Sequence, residues 1–536
     1  MRRSIRVMCL WGAVVVGGGS AWGQGQGQTP PEKRKQLVAL VLPGVRRVPG
    51  YEKVRPYASP DAEGDPPIEP SDVKAVEATE ENEALVLQHP FLSPLIGAVV
   101  HGARVPVKGV VHAKNARGCA TRLWYALDPW GYVCSRSVKP TTEPPTQEAA
   151  MPVPQGERVP YHYVMVGVPE GVNVPMWGSV DSVRDGEEPE RQLQRGDTVA
   201  VQKTLKIEGR QYHVSVEGKV LPVEGTYPID AKVSAWHGEV LDDKTVFPFG
   251  WVTPETAKVY AVPDPRTQPI ETLPRRTRLI IAEEQGKGGR RMLRIADPPG
   301  AAAGEGQGQG QAQGQGQAPA QPQPTARWVR AADVNEVRRI PRPEGISPAA
   351  QWIDVDLGEQ VLVAYMGEQP VYATLTSSGR AIPTPRGNYP VWAKVSAISM
   401  KSQAYEDKPY FVNKVPWVLF FQAHNAIHGA YWHDRFGVSK SHGCVNVSPL
   451  DARYLFDWLT PNLPSGWTGF RPPDLMASPT VHVRNSHEKV ELLQERPIGP
   501  PDKELEALKL EEAEARRASE GATAAPAAEA PAGMQP

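Results

Sequence analysis

Short runs in which apolar and polar residues alternate recur along this chain, separated by Gly and Pro. A period of two marks a half-buried strand. The pattern is sharpest over residues 349–485. Trp352-Ile353-Asp354-Val355-Asp356-Leu357 and Gln360-Val361-Leu362-Val363-Ala364-Tyr365 read as two strands of a hairpin, linked by Gly358-Glu359. Val371 to Thr376 makes a third strand, Thr384 to Tyr389 a turn, Val391 to Val395 a fourth strand and Val415 to Phe421 a fifth. Ser448 and Pro449 form an N-cap and N1 pair, with Asp451 in a capping-box-like place. The helix they open is expected to bury a face of Leu450, Tyr454, Leu455, Trp458 and Leu459.

Upstream, three segments at 84–140, 160–228 and 255–337 show strands of about five residues with Gly and Pro between them. The pattern favours several small β-barrel modules over one irregular β-rich region. Trp130-Gly131-Tyr132-Val133 resembles the last strands of bacterial Src-homology-3-like domains. A Gly/Gln tract at 301–324 reads as an insertion in the third module rather than a linker, because Trp328-Val329 looks like that module's closing strand.

Composition changes this picture at the ends. Met1-Arg2-Arg3-Ser4-Ile5-Arg6, an apolar run to about Val16 and Ala21-Trp22-Gly23 make residues 1–23 a secretory signal. A membrane anchor is the alternative, but the run is shorter than the roughly 20 residues a span needs. Residues 24–83 and 486–536 read as disordered tethers. A chain of 536 residues implies several domains, and 56 prolines favour turns over long helices. The net charge of −1 offers no electrostatic case for nucleic acid. Of four cysteines, Cys9 lies in the signal. In an oxidising compartment Cys119 and Cys134 are placed to pair, and Cys444 stays free.

Chemistry concentrates between His428 and Asn446. Cys444 follows His442-Gly443, and His428-Gly429 lies upstream. A thiolate is nucleophilic, and an imidazole can take its proton and return it to a leaving group. Glycines allow close backbone approach and N–H groups facing an oxyanion. Alternation alone leaves either His428 or His442 as base, since i and i+2 share a strand face. His424 and His433 read as surface or supporting residues. A zinc site would need three protein ligands, and the motif is accounted for without one.

The stretch resembles the L,D-transpeptidase catalytic domain, the YkuD-like family. The residues that carry the resemblance are Ile353 to Leu357, Gln360, Ser378-Gly379, Thr384-Pro385-Arg386-Gly387, Ile427-His428-Gly429 and Ser441-His442-Gly443-Cys444-Val445-Asn446. It implies a mainly β protein with a β-sandwich catalytic domain. It also implies Cys444 as nucleophile and His428 as general base, oriented by the Gly429 carbonyl. Gly443 and Cys444 would supply oxyanion N–H groups, while Ser441, His442 and Asn446 shape the site. The implied reaction crosslinks peptidoglycan stem peptides through a thioester made from a tetrapeptide, without metal or cofactor. The location expected is the periplasm or cell envelope. Alternatives are an L,D-carboxypeptidase, a protein-to-peptidoglycan ligase, or a non-catalytic wall-binding scaffold.

Overall fold

The computed structural model describes residues 73–79, 83–90, 94–113, 118–230, 233–296, 326–380, 383–402 and 410–488. The expected signal, most of both tethers and the 301–324 tract lie outside the described residues. Strands dominate the described residues, and no helix there is long and apolar enough to cross a membrane.

The C-terminal region is a β-sandwich. Its first sheet contains β1 (Gln351–Asp356), β2 (Val361–Met366), β3 (Gln369–Leu375), β4 (Gly387–Pro390) and, later in the chain, β10 (Thr480–Arg484). β1 pairs antiparallel with β2 and parallel with β10. The second layer is built from β5 (Ala393–Lys401), β6 (Phe411–Gln422), β7 (Asn425–Gly429), β8 (Val445–Val447) and β9 (Trp467–Phe470). Ile353, Val355 and Leu362 of one layer pack with Leu419, Phe421, Ile427 and Val445 of the other. β1 alternates as expected but is buried on both faces, Trp352 joining a second apolar cluster on the side of the aspartates. Ile353 and Val355 face the core, while Asp354 and Asp356 face Arg484 on β10, at 2.9 Å and 2.8 Å.

Helix α1 (Pro449–Trp458) starts where capping chemistry requires, with Ser448 Oγ accepting from the Asp451 N–H at 3.1 Å. Its buried face includes Leu455 and Leu459 as expected, with Tyr454 and Trp458 packed at the edge of the core, and it extends to Ala452 and Phe456. Asp451 is also buried, as a hydrogen-bond hub. Tyr372 Oη and Thr374 Oγ1 donate to its carboxylate at 2.6 Å each, and the Gly238 N–H donates at 2.7 Å. At the far end, Lys394 Nζ donates to the Phe456 and Pro461 carbonyls at 2.8 Å and 3.0 Å and also to that of Leu459. These partners satisfy carbonyls that a helix end leaves open.

Upstream strands do not close into barrels. In the first segment Leu95–Val100 pairs with Glu83–Leu87 on one side and with β9 on the other, Ala98 opposite Gly469. The edge that would close a barrel is thus occupied by the C-terminal region. Ala75–Ala78, placed in the tether by composition, is a buried strand paired with Val138–Thr141 and Arg104–His112. In the second segment Thr198–Ile207 pairs with His162–Val166 and Arg210–Ser215, and Thr198 meets Val412 of β6. The third sheet is open and seven-stranded, and it also takes Phe249–Val252. Arg327–Arg330 pairs with Met292–Ile295 and Thr256–Tyr260, so the flanks of the Gly/Gln tract meet in one sheet.

Cys119 and Cys134, separated by 15 residues, form a disulfide. Closing a loop of that length constrains the unfolded chain by about 3 kcal/mol. The Cys119→Ser/Cys134→Ser variant should therefore lose about 3 kcal/mol of unfolding free energy and unfold at a lower urea midpoint. An unchanged midpoint would show that the bridge contributes nothing.

Candidate active site

β7 and β8 are short, adjacent and parallel, with Ile427 opposite Val445, His428 opposite Asn446 and Gly429 opposite Val447. Paired residues in a sheet point to the same side, and residues two apart share a face. His428 and Asn446 therefore address one side of the sheet, and Cys444 lies in the bend that leads into β8.

Cys444 is a half-buried thiol outside any disulfide, and its Sγ lies 3.7 Å from the His424 carbonyl. His424 itself is exposed, and the site uses its backbone. His428 is buried, with Trp432 at 5.9 Å between ring centroids. Burial pushes its pKa down to about 4, opposed by an interaction with the Gly429 backbone. Nδ1 has no partner at full hydrogen-bond geometry, so this interaction is an approach rather than a formed bond. His442 is exposed and stacks on Tyr410 at 4.9 Å. Of the two histidines that alternation left open, only His428 is paired beside Asn446 in the buried sheet.

The motif residues build the turn that presents Cys444. Gly443 has φ +130°, a conformation L side chains rarely adopt. Its carbonyl accepts from Thr384 Oγ1 at 2.7 Å, and Thr384 also accepts the Gly379 N–H at 2.9 Å. Ser441 Oγ donates to the Cys444 carbonyl and accepts the Gly443 N–H, the latter at 3.1 Å. The Gly443 N–H is thus committed to a local turn and does not face an oxyanion as expected. Gln360 bonds Ser378 through both amide atoms, at 2.7 Å and 2.8 Å. Ser377 brackets Asn446, donating its N–H at 2.8 Å and accepting at 3.0 Å. A Cβ on Gly429 would sit 3.3 Å from Ala452 Cβ and Pro449 Cα, so this glycine lets helix α1 press against the site.

His433 was legible only as a supporting residue, and the structure buries it beside the site. Its Nε2 lies 3.0 Å from the Asn446 amide, and its Nδ1 accepts the Arg435 N–H at 3.2 Å. Burial, then the charge of Lys440, drives the His433 pKa to about 3. The signal missed in the sequence was its apolar company, Tyr431, Trp432 and Phe436.

Residues 350–471 match the family model of YkuD, the L,D-transpeptidase catalytic domain. No curated protein matches the chain. Among solved structures, a cysteine-to-serine mutant of an Enterococcus faecium L,D-transpeptidase shares 24% identity over 25% of this chain and 49% of its own, TM-score 0.20. An L,D-transpeptidase from Stackebrandtia nassauensis shares 21% over 26% and 56%, TM-score 0.19. One from Mycobacterium smegmatis shares 16% over 39% and 100%, TM-score 0.20. The chain spans about half the length of the first two. In the YkuD domain the matched range holds both His428 and Cys444, whereas the strands before residue 350 lie outside it.

Both buried histidines make stability depend on pH. Their folded pKa values lie below the unfolded value near 6.5, so the unfolded chain binds protons first as pH falls. Their contribution is complete above about pH 6.5 and is lost progressively towards pH 4. The unfolding free energy of the wild type, and with it the urea midpoint, should drop between pH 6.5 and 5, by up to about 1.4 kcal/mol per pH unit for each histidine. The His433→Gln variant should show a shallower drop. Equal slopes would contradict a buried neutral His433.

Proposed function

We propose that this chain is an exported L,D-transpeptidase acting on peptidoglycan stem peptides, with Cys444 as nucleophile and His428 as general base and acid. The YkuD match over 350–471 carries the reading, because the paired strands bearing His428 and leading from Cys444 fall inside it. Export is supported by the Cys119–Cys134 disulfide, a bond typical of oxidising compartments, and by the signal-like residues 1–23.

In the proposed reaction His428 takes the Cys444 thiol proton. The sulfur attacks the carbonyl of the third stem residue, and the bond to the D-Ala nitrogen breaks. The same proton passes from His428 to that departing amine, leaving a thioester. A side-chain amine of a second stem then attacks the thioester, His428 takes the amine's proton and returns it to the departing Cys444 sulfur, and the new amide is the crosslink. Burial suits His428 to this cycle. The ring is neutral at pH 7 and can accept a proton, while its imidazolium is poorly solvated and donates readily. Water in place of the amine would give a carboxypeptidase from the same thioester.

Mass spectrometry of purified protein with tetrapeptide muropeptides tests this directly. A transient adduct on Cys444, loss of D-Ala and crosslinked dimers are expected. Cys444→Ala should abolish all three without loss of fold. His428→Ala should slow acylation by about 10²–10⁴-fold, the usual scale of general acid–base help. Dimers formed by Cys444→Ala would overturn the assignment.

A further inference from the structure

The loop from Ala430 to Gly437 leaves the end of β7 and carries Trp432 and His433. It is held from outside the matched range, by the third sheet and the segment before it. Arg276 donates to the Asp434 carboxylate and, at 3.2 Å, to its carbonyl. Arg275 donates to the same carbonyl at 2.6 Å. Ser234 Oγ adds a bond to the carboxylate. Burial pushes the Asp434 carboxyl up, but the Arg276 and Ser234 bonds and both arginine charges bring it below its ordinary value.

Three residues on, Asn335 Nδ2 donates to the Gly437 carbonyl at 2.9 Å and also to that of Glu359. Gly437 has φ +101°, and a Cβ there would lie 2.7 Å from Thr253 Cγ2. Between the two anchors Phe436 is buried with Trp236, Phe249 and Trp251. The loop is thus pinned at both ends and seated on aromatic rings of the upstream chain.

The pinned segment leads straight into the site. Asp434 adjoins His433, His433 bonds Asn446, and Asn446 lies opposite His428 in the β7–β8 register. We propose that Arg276 and Asp434 are positioning residues for the acyl transfer, so that the third sheet is a working part of the active site rather than a separate module. They touch neither Cys444 nor His428. They act by holding His433 on Asn446, and through it the end of β8 against β7. The inference rests on the reading of Cys444 as an acylated nucleophile.

The test uses the full chain and imipenem as acylating probe, with Cys444 labelling followed by intact mass. Arg276→Lys keeps the charge but loses the guanidinium fork, and Asp434→Asn keeps the shape but loses the charge. Each variant should label to the same final stoichiometry as wild type. The first-order labelling constant at saturating imipenem should fall about 10–100-fold, the scale set by displacements of about 1 Å in a reacting pair. The half-saturating concentration should change little. The double variant should be no slower than the worse single one, because both residues serve one contact. A wild-type labelling constant in both variants overturns the proposal, whatever the final stoichiometry, since a purely structural role would lower the amount of active protein and not its rate. If wild type itself is not labelled at Cys444, the nucleophile assignment fails instead.

Discussion

Two three-residue stretches, 427–429 and 445–447, run parallel and in register, and the chemistry of this protein depends on that pairing. A parallel pair cannot be closed by a tight turn and needs a long crossover. Here the crossover is the loop through Trp432, His433 and the Ser441–Cys444 turn. So short a ladder has little strength of its own. It is held from below by helix α1, which Gly429 admits to close contact, and from the side by Ser377, which exchanges both backbone bonds with Asn446.

The same economy governs the polar interior. Asp354 and Asp356 are tied to Arg484, Asp451 to Tyr372, Thr374 and the Gly238 amide, and Gln360 to Ser378. A buried charge or amide left unpaired costs more than its bond gains, so each of these groups specifies one arrangement of its neighbours. Gly238 and Trp236 show how far this reaches. Trp236 Nε1 donates to Thr374 at 2.9 Å, so the chain between the second and third segments is fastened into the sandwich. The upstream strands are consequently not beads on a string. β9 completes the sheet of the first segment, and Thr198 meets β6.

Burial also sets the acid–base character of the site. His428 and His433 lie in one apolar surround with no carboxylate bonded to either ring in the described structure, and both are pushed towards neutrality. His442, nearest to Cys444 in sequence, is exposed and stacks on Tyr410.

Much of this was readable in the linear order of residues because it is local. Alternation located β1 and β2, and the Ser448-Pro449 pair located the start of α1. Two cysteines near one another in sequence were enough to suggest their bridge. What only the tertiary structure decided involves partners far apart in the chain. Periodicity found the apolar face of α1 with Leu455 and Leu459, but it could not show that Asp451 would be drawn into the core by Tyr372 and Gly238. Strand patterns upstream implied closed barrels, since nothing local shows that β9 will take the edge at Leu95–Val100. Composition assigned Ala75–Ala78 to a tether, though its pairing with Val138–Thr141 buries it. The Gly443 amide looked free until Ser441 Oγ claimed it. Local propensity sets which elements form. The satisfaction of buried polar groups and open strand edges, which depends on distant residues, sets which faces and partners they take.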